Sequence, residues 1–429
     1  MNKKLMVGAA EVNITPAIGT HLSGSLSPRS STGIQDHLTA KALVLKSEEQ
    51  TICYVILDLC LLPREYGDKG IAIAAVKTGI APDNIVWATN HTHTGPYTSS
   101  LLGDNEPSIN HEWLDSLPYK FAEAVEKALL NIRPASMSRA RGYCFDVTHN
   151  RRIKFKDGRE INRWLLDRGE EEVQSLGSAG PIDPEIGILC FDDEQGNPIA
   201  VWWSFALHTN RNFGSSFSAD YPAVVASRIM ERFGRPTISF FAPGTCGDLN
   251  PLCSSYREVG DKLANEIIYR LDNRKPISEP IRLGAMKTEM IVPWRNPDEV
   301  SEDRIATSQW DPGSQKKFRE DLEYMKNQPE QFDKTVLQAW RIGDVGFVSL
   351  PGEAFVELGL RIKEKSPFPW TYPVELGGDY LGYLVTEQAW LAGGYESLIA
   401  RLARPSVDGV NAMVDKTIEM LEKLWTENI

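Results

Sequence analysis

The sequence predicts an α/β protein: a single large domain with mixed β-sheets covered by helices. Strand-like and helix-like segments alternate through most of its 429 residues, the pattern of sheets packed against helices. Short turn-rich connections join several strand pairs, and such hairpins argue against a purely parallel, doubly wound sheet. No repeat or low-complexity linker divides the chain, so residues 1–429 are read as one domain.

The first strand covers 5–12; the apolar run there meets Glu11 too early for the core of a secretory leader. Residues 40–46 and 51–58 form a hairpin around Ser47-Glu48-Glu49-Gln50. A helix over 66–77 precedes a buried strand over 84–90. The spacing of Phe121, Ala124, Val125, Ala128 and Leu129 predicts a helix over 113–131. A second hairpin joins 186–191 to 199–206 through a turn rich in Asp, Gly and Pro. Ahead of this hairpin, 154–178 is polar and weakly periodic, and is expected to be a loop excursion or lid with its own short helix. Helices follow at 221–233, 259–271, 315–326 and 355–363, with a short strand at 237–242. Strands 336–341 and 345–350 pair through Ile342-Gly343-Asp344, and an amphipathic helix over 411–425 follows. Trp202 and Trp203 fall on opposite faces of one strand, so at most one faces a site.

Composition excludes several classes. The chain is 42% apolar and 24% charged, as soluble globular proteins are. A net charge of −12 without a basic block argues against nucleic acid or anionic membrane as partner. No apolar run approaches the ~20 residues that span a bilayer. The six cysteines are scattered without C-x-x-C pairing, which fits reduced thiols in a cytoplasmic setting. A small-molecule substrate is the expected partner; oligomeric state leaves no mark.

Chemistry concentrates where apolar strands meet polar loops. In Asn90-His91-Thr92-His93-Thr94-Gly95-Pro96, an extended backbone would put both imidazoles on one face. There they either bind a metal or shuttle protons, or simply hydrogen-bond at a strand end. His208 ends a similar apolar run. Glu353, after Pro351-Gly352, opens a helix as a ligand or as a capping carboxylate. Cys246-Gly247-Asp248-Leu249-Asn250 follows a strand and either presents backbone N–H groups to an anion or oxyanion, with Gly247 and Asp248 facing substrate, or is an ordinary tight turn. It lacks the Lys-Ser/Thr ending of a phosphate-binding P-loop. Asn150-Arg151-Arg152 is an anion or carbonyl clamp, or a surface pair of arginines.

Together these islands resemble the neutral/alkaline (non-lysosomal) ceramidase family, in the same order from about Val7 to Glu396. The Asn90–Pro96 run is similar to the family's T-H-T-H-S-G-P motif, and Pro351-Gly352-Glu353 to its P-G-E. The resemblance implies a Zn2+ site held by His91, His208, Glu353 and Tyr383. It implies His93 as acid/base or transition-state partner, Tyr395 hydrogen-bonding at the site, Arg151 facing substrate and Gly24 lining the pocket. Where the family's loop has a serine important for ceramide cleavage, this chain has Asn250, which can donate to a carbonyl but cannot attack one. The resemblance is to the family's catalytic domain only, so no C-terminal immunoglobulin-like domain is expected.

The implied activity is zinc-dependent hydrolysis of an amide (N-acyl) bond, or an ester, with a substrate more polar than ceramide. Two alternatives stand beside it. One is a cysteine-nucleophile hydrolase using Cys246; the other is a metal-containing binding protein without turnover.

Overall fold

The computed structural model describes residues 5–25, 29–99, 109–166, 174–300, 302–306, 310–398 and 401–426. Two mixed sheets stack face to face. The larger runs in the order Ile238–Pro243, Pro198–Phe205, Glu185–Asp192, Arg133–Tyr143, Leu5–Asn13, Thr39–Lys46, Thr51–Leu57, Ile85–Thr89. Its outermost pair at each end is parallel and the rest antiparallel. The smaller runs Leu283–Pro293, Phe332–Ile342, Val345–Leu350, Trp370–Glu375, with only the last pair parallel. The expected α/β class, its mixed sheets and its three hairpins are all present.

Burial explains the layering. Tyr54, Trp202 and Phe240 of the larger sheet share one buried cluster with Trp340, Phe347 and Tyr372 of the smaller. Trp202 meets Phe347 edge-on at 5.0 Å, and Trp340 stacks on Phe347 at 5.2 Å. Such pairs add about 0.5–1.5 kcal/mol each beyond their burial. Strand alternation sends Trp203 the other way, into a cluster with Val225 and Ile229 of the helix Tyr221–Phe233. Neither tryptophan reaches the site. Helices Arg64–Thr78 and His111–Leu130 cover the rest of that outer face, while Val356–Lys365 and Val407–Thr426 cover the smaller sheet.

Two segments differ from expectation. Arg133–Tyr143 is a central strand, but its run of Ser, Arg, Ala and Gly offers little apolar signal. The 154–178 excursion is built mainly of short strands, with Arg152–Phe155 between Glu160–Asn162 and Ser175–Ser178, and a 3₁₀ turn at Arg163–Leu165. Residues 167–173 of it lie outside the described residues.

The larger sheet curls until its two edge strands, Ile85–Thr89 and Ile238–Pro243, approach each other. Ala88 also bridges to Gly377, just beyond the smaller sheet's last strand. Carboxyl ends of parallel strands from both sheets therefore open onto one region, where α/β folds place ligands.

Candidate metal centre

Three buried side chains meet in that region, each following a strand: His91 after Ile85–Thr89, His208 after Pro198–Phe205, Glu353 after Val345–Leu350. Glu353 Oε2 lies 3.4 Å from His91 Nε2 and 3.2 Å from His208 Nε2. Ligands about 2.0–2.1 Å from a tetrahedral zinc are about 3.3 Å from one another, so this spacing fits an ion. His91 Nδ1–H donates to the Cys60 carbonyl at 2.8 Å, and His208 Nδ1–H to the Cys246 carbonyl at 2.7 Å. A carbonyl can only accept. Each proton is therefore fixed on Nδ1, and each Nε2 lone pair is left for a metal, the orientation metal-binding histidines adopt. The second Glu353 oxygen accepts the Tyr380 hydroxyl at 2.6 Å.

The histidines do not converge by strand alternation. The strand stops at Thr89, and His91 adopts a left-handed backbone with φ 65°. That conformation costs roughly 1–3 kcal/mol in a non-glycine residue. It is held by His91 N–H donating to the Leu59 carbonyl at 2.9 Å and by the Nδ1 bond. His93 Nε2 then lies 3.4 Å from His91 Nε2, and its main chain is tied by Thr209 and Arg29. A side chain at Gly24, φ 79°, would put its Cβ 2.3 Å from the His93 ring, so the close approach requires glycine.

Glu353 is likewise not in a first helical turn. It sits in a two-residue bridge with Tyr383, and the helix starts at Val356. Its capping role belongs to Asp248, whose Oδ1 accepts Val356 N–H at 2.9 Å.

Charge follows geometry. Burial pulls the His91 imidazole down, but Cys60 and Glu353 outweigh it and hold His91 well above 6.5, so an ion bound at Nε2 would displace a second proton there. Burial, reinforced by Arg151, lowers His208 to about 4. Burial and the two neighbouring imidazoles hold His93 well below its usual value. Burial would raise Glu353, yet His91 and His208 keep its carboxylate well below 4.5 and charged.

Arg151 is buried rather than on the surface. Its Nη2 donates to the Tyr383 hydroxyl at 3.1 Å, its Nη1 to Asn250 Oδ1 at 3.4 Å, and its Nε to Glu396 Oε1 at 2.8 Å. Arg152 pairs with the other Glu396 oxygen, so the two arginines share one fully buried carboxylate. A cavity of about 40 Å³ is lined by Gly24, His91, His93, Glu353, Tyr383 and Tyr395, among others.

Gly247 and Asp248 are not part of that lining. Gly247 N–H donates to the Ala354 carbonyl, and its Cβ would lie 2.4 Å from the Glu353 carbonyl oxygen. Asp248, raised to about 6 by burial, takes Asn150 Nδ2 as well as the helix start. Both brace the Glu353 turn instead of facing an oxyanion. Cys246 is also turned inward: its thiol and N–H donate to Glu375, and burial pushes the thiol well above 9. A protonated, enclosed thiol is the reverse of an activated nucleophile. Sequence reasoning missed Tyr380 and Glu396, since neither carries a motif of its own.

The fold and its side chains thus define an α/β protein with a candidate metal centre at the strand ends. No protein-family model matches the chain, and no curated protein matches it. Among solved structures it is similar to neutral ceramidase from Pseudomonas aeruginosa, with a TM-score of 0.74 and 18% identity over 99% of this chain and 75% of that one. It is similar also to a ceramidase complexed with C2, at TM-score 0.73 and 17% identity with the same coverage. This likeness establishes the fold, which is the one the motif resemblance implied.

Proposed function

We propose that the chain is a zinc-dependent hydrolase of amide (N-acyl) bonds, with esters as a secondary class, acting on a small molecule more polar than ceramide. The observation that carries this is the pair of carbonyl-fixed imidazoles whose Nε2 atoms lie 3.2 and 3.4 Å from one buried carboxylate oxygen. His91, His208 and Glu353 would hold the ion, with the Tyr383 phenol beside them. When bound, zinc supplies Lewis acidity, polarising a carbonyl and acidifying nearby water.

The remaining roles belong to this chain's own groups. His93, neutral and not tied through its ring to a carbonyl as the other two are, takes a proton from water and returns it to the departing amine. Arg151 and Tyr395 donate to the carbonyl oxygen as negative charge grows there. Asn250, with its Oδ1 accepting from Arg151 and Asn210, keeps its NH2 as a donor. Gly247 and Asp248 hold Glu353 in place. All six cysteines are free, which supports a reducing, cytoplasmic setting; among the described residues no helix is long and apolar enough to cross a membrane.

Metal analysis of protein purified without chelators, with turnover of short N-acyl amides, tests this reading. His91→Ala should lose zinc; His93→Ala should keep zinc and lose rate by about 10²–10⁴-fold. Clearly substoichiometric zinc in the parent, unchanged in His91→Ala, sinks the metal assignment. A zinc-loaded but inert parent is the binding protein instead.

A further inference from the structure

Glu396 is completely buried in the short turn Tyr395–Leu398, next in sequence to the site tyrosine. Its Oε1 accepts Arg151 Nε–H at 2.8 Å and Asn162 Nδ2–H at 2.8 Å, and its Oε2 accepts Arg152 Nη1–H at 2.6 Å. Burial would raise this carboxyl, but Arg151 and Arg152 hold it below its usual value, so it stays charged. The two arginines do not compete for it. Arg152 has a carboxylate of its own, with Nε and Nη2 on Glu160 Oε2 at 2.9 and 2.7 Å. Arg151 pairs directly with Glu396.

Arg151 is thereby pinned from one edge. With Nε–H directed at Glu396, Nη1 and Nη2 face the metal centre: the Tyr383 hydroxyl lies at 3.1 Å, Asn250 Oδ1 at 3.4 Å and His208 Nε2 at 3.5 Å. The ring centroids of Trp164, Tyr383 and Tyr395 lie 5.1, 5.5 and 5.9 Å from the guanidinium carbon. Aromatic faces attract a cation but do not fix which way its nitrogens point, whereas a hydrogen-bonded carboxylate does. Fixing matters here because like charges meet. A guanidinium 3.5 Å from a nitrogen that would hold a divalent ion is repelled by that ion. Glu353 is already engaged with His91 and His208, so the opposing pull comes from Glu396 at the Nε edge. Asn162 joins Tyr395 to the same anchor, since its Oδ1 accepts the Tyr395 N–H at 2.9 Å.

We propose that Glu396 is a positioning residue, the anchor that keeps the Nη edge of Arg151 toward the reacting carbonyl while a cation occupies the centre. Glu396 is not among the residues that line the cavity at the centre, and it acts through Arg151. The proposal rests on the amide-hydrolase reading for its effect on rate, but not for the anchoring itself.

The test is a double-mutant cycle on the zinc-loaded protein. Glu396→Gln should lower kcat for a short N-acyl amide by about tenfold to 10²-fold with little change in KM, because a misplaced donor is missed chiefly in the transition state. In an Arg151→Ala background the same change should cost less than about threefold, since nothing remains for it to position. An equal factor in both backgrounds, the mark of a merely structural role, overturns the proposal. If Glu396→Gln does not fold, Glu396→Asp replaces it throughout, keeping the charge but drawing it back by one carbon; full kcat in either folded variant also overturns the proposal. A readout independent of turnover uses N-ethylguanidinium, which supplies the atoms that Arg151→Ala removes. Calorimetry should show it binding Arg151→Ala, and binding about tenfold or more weakly once Glu396 is also replaced. No binding, or binding indifferent to Glu396, overturns the proposal; Arg151→Ala that folds only with the probe present counts as binding. If the zinc-loaded parent turns over no amide, the hydrolase reading fails, and the calorimetric comparison alone decides the anchor.

Discussion

Tyr380→Phe removes one oxygen atom and tests how the centre is organised. The lost hydroxyl donates at 2.6 Å to Glu353 Oε1, and both side chains are buried, at 4% and 3% exposure. The carboxylate therefore loses a charge-assisted bond worth about 1.5–3 kcal/mol. Glu353 is held in its charged form by His91 and His208, and the charged form is the one that holds an ion. Partners of this kind orient a ligand, and their loss weakens metal binding by about 10–100-fold, or about 1.4–2.7 kcal/mol. Competition against a zinc-chelating dye measures this directly, with circular dichroism confirming that the variant is folded. A folded variant that binds zinc as tightly as the parent would refute the claim that Tyr380 orients Glu353.

Two more predictions address the frame around the site. Gly24→Ala should retain zinc yet lose at least about tenfold in rate, because its Cβ would lie 2.3 Å from the His93 ring at a backbone φ of 79°; full rate in this variant would show that His93 has room to move. Burial raises the Glu375 carboxyl to about 8. The native state thus keeps a proton that the unfolded chain releases near its ordinary value of about 4.3. This contribution to stability is whole below that value and is lost as pH climbs toward 8. Thermal unfolding of metal-free Glu375→Gln should show a gain relative to the parent that grows across this window, and parallel pH profiles for the two proteins would refute it.

The legible parts of this chain were those with strong local periodicity or a motif. The hairpins, the helix over 221–233 and the strands before His91 and Glu353 were readable because alternating or helical apolar patterns end at clear turn residues. Arg133–Tyr143 was not, because a strand hidden between two neighbours can use small and charged residues whose stems do the packing. The position of His91 was readable, but its left-handed backbone was not, since nothing local demands it and the Leu59 and Cys60 carbonyls impose it. Tyr380 and Glu396 act through partners far away in sequence, contacts that no local pattern announces. The same limit misassigned Gly247 and Asp248: their sequence suits an anion cradle, while their N–H and carboxylate are already engaged with the Glu353 segment.

The stacking of the two sheets has a mechanical consequence. His91 and His208 are mounted on the larger sheet and Glu353 on the smaller. An ion held by all three would act as a rivet through the sandwich, and the aromatic seam of Trp202, Phe347 and Trp340 would act as the spacer that sets its grip. Because such interiors transmit strain rather than absorb it, trimming that spacer would retune the metal's affinity from a part of the protein no substrate ever touches.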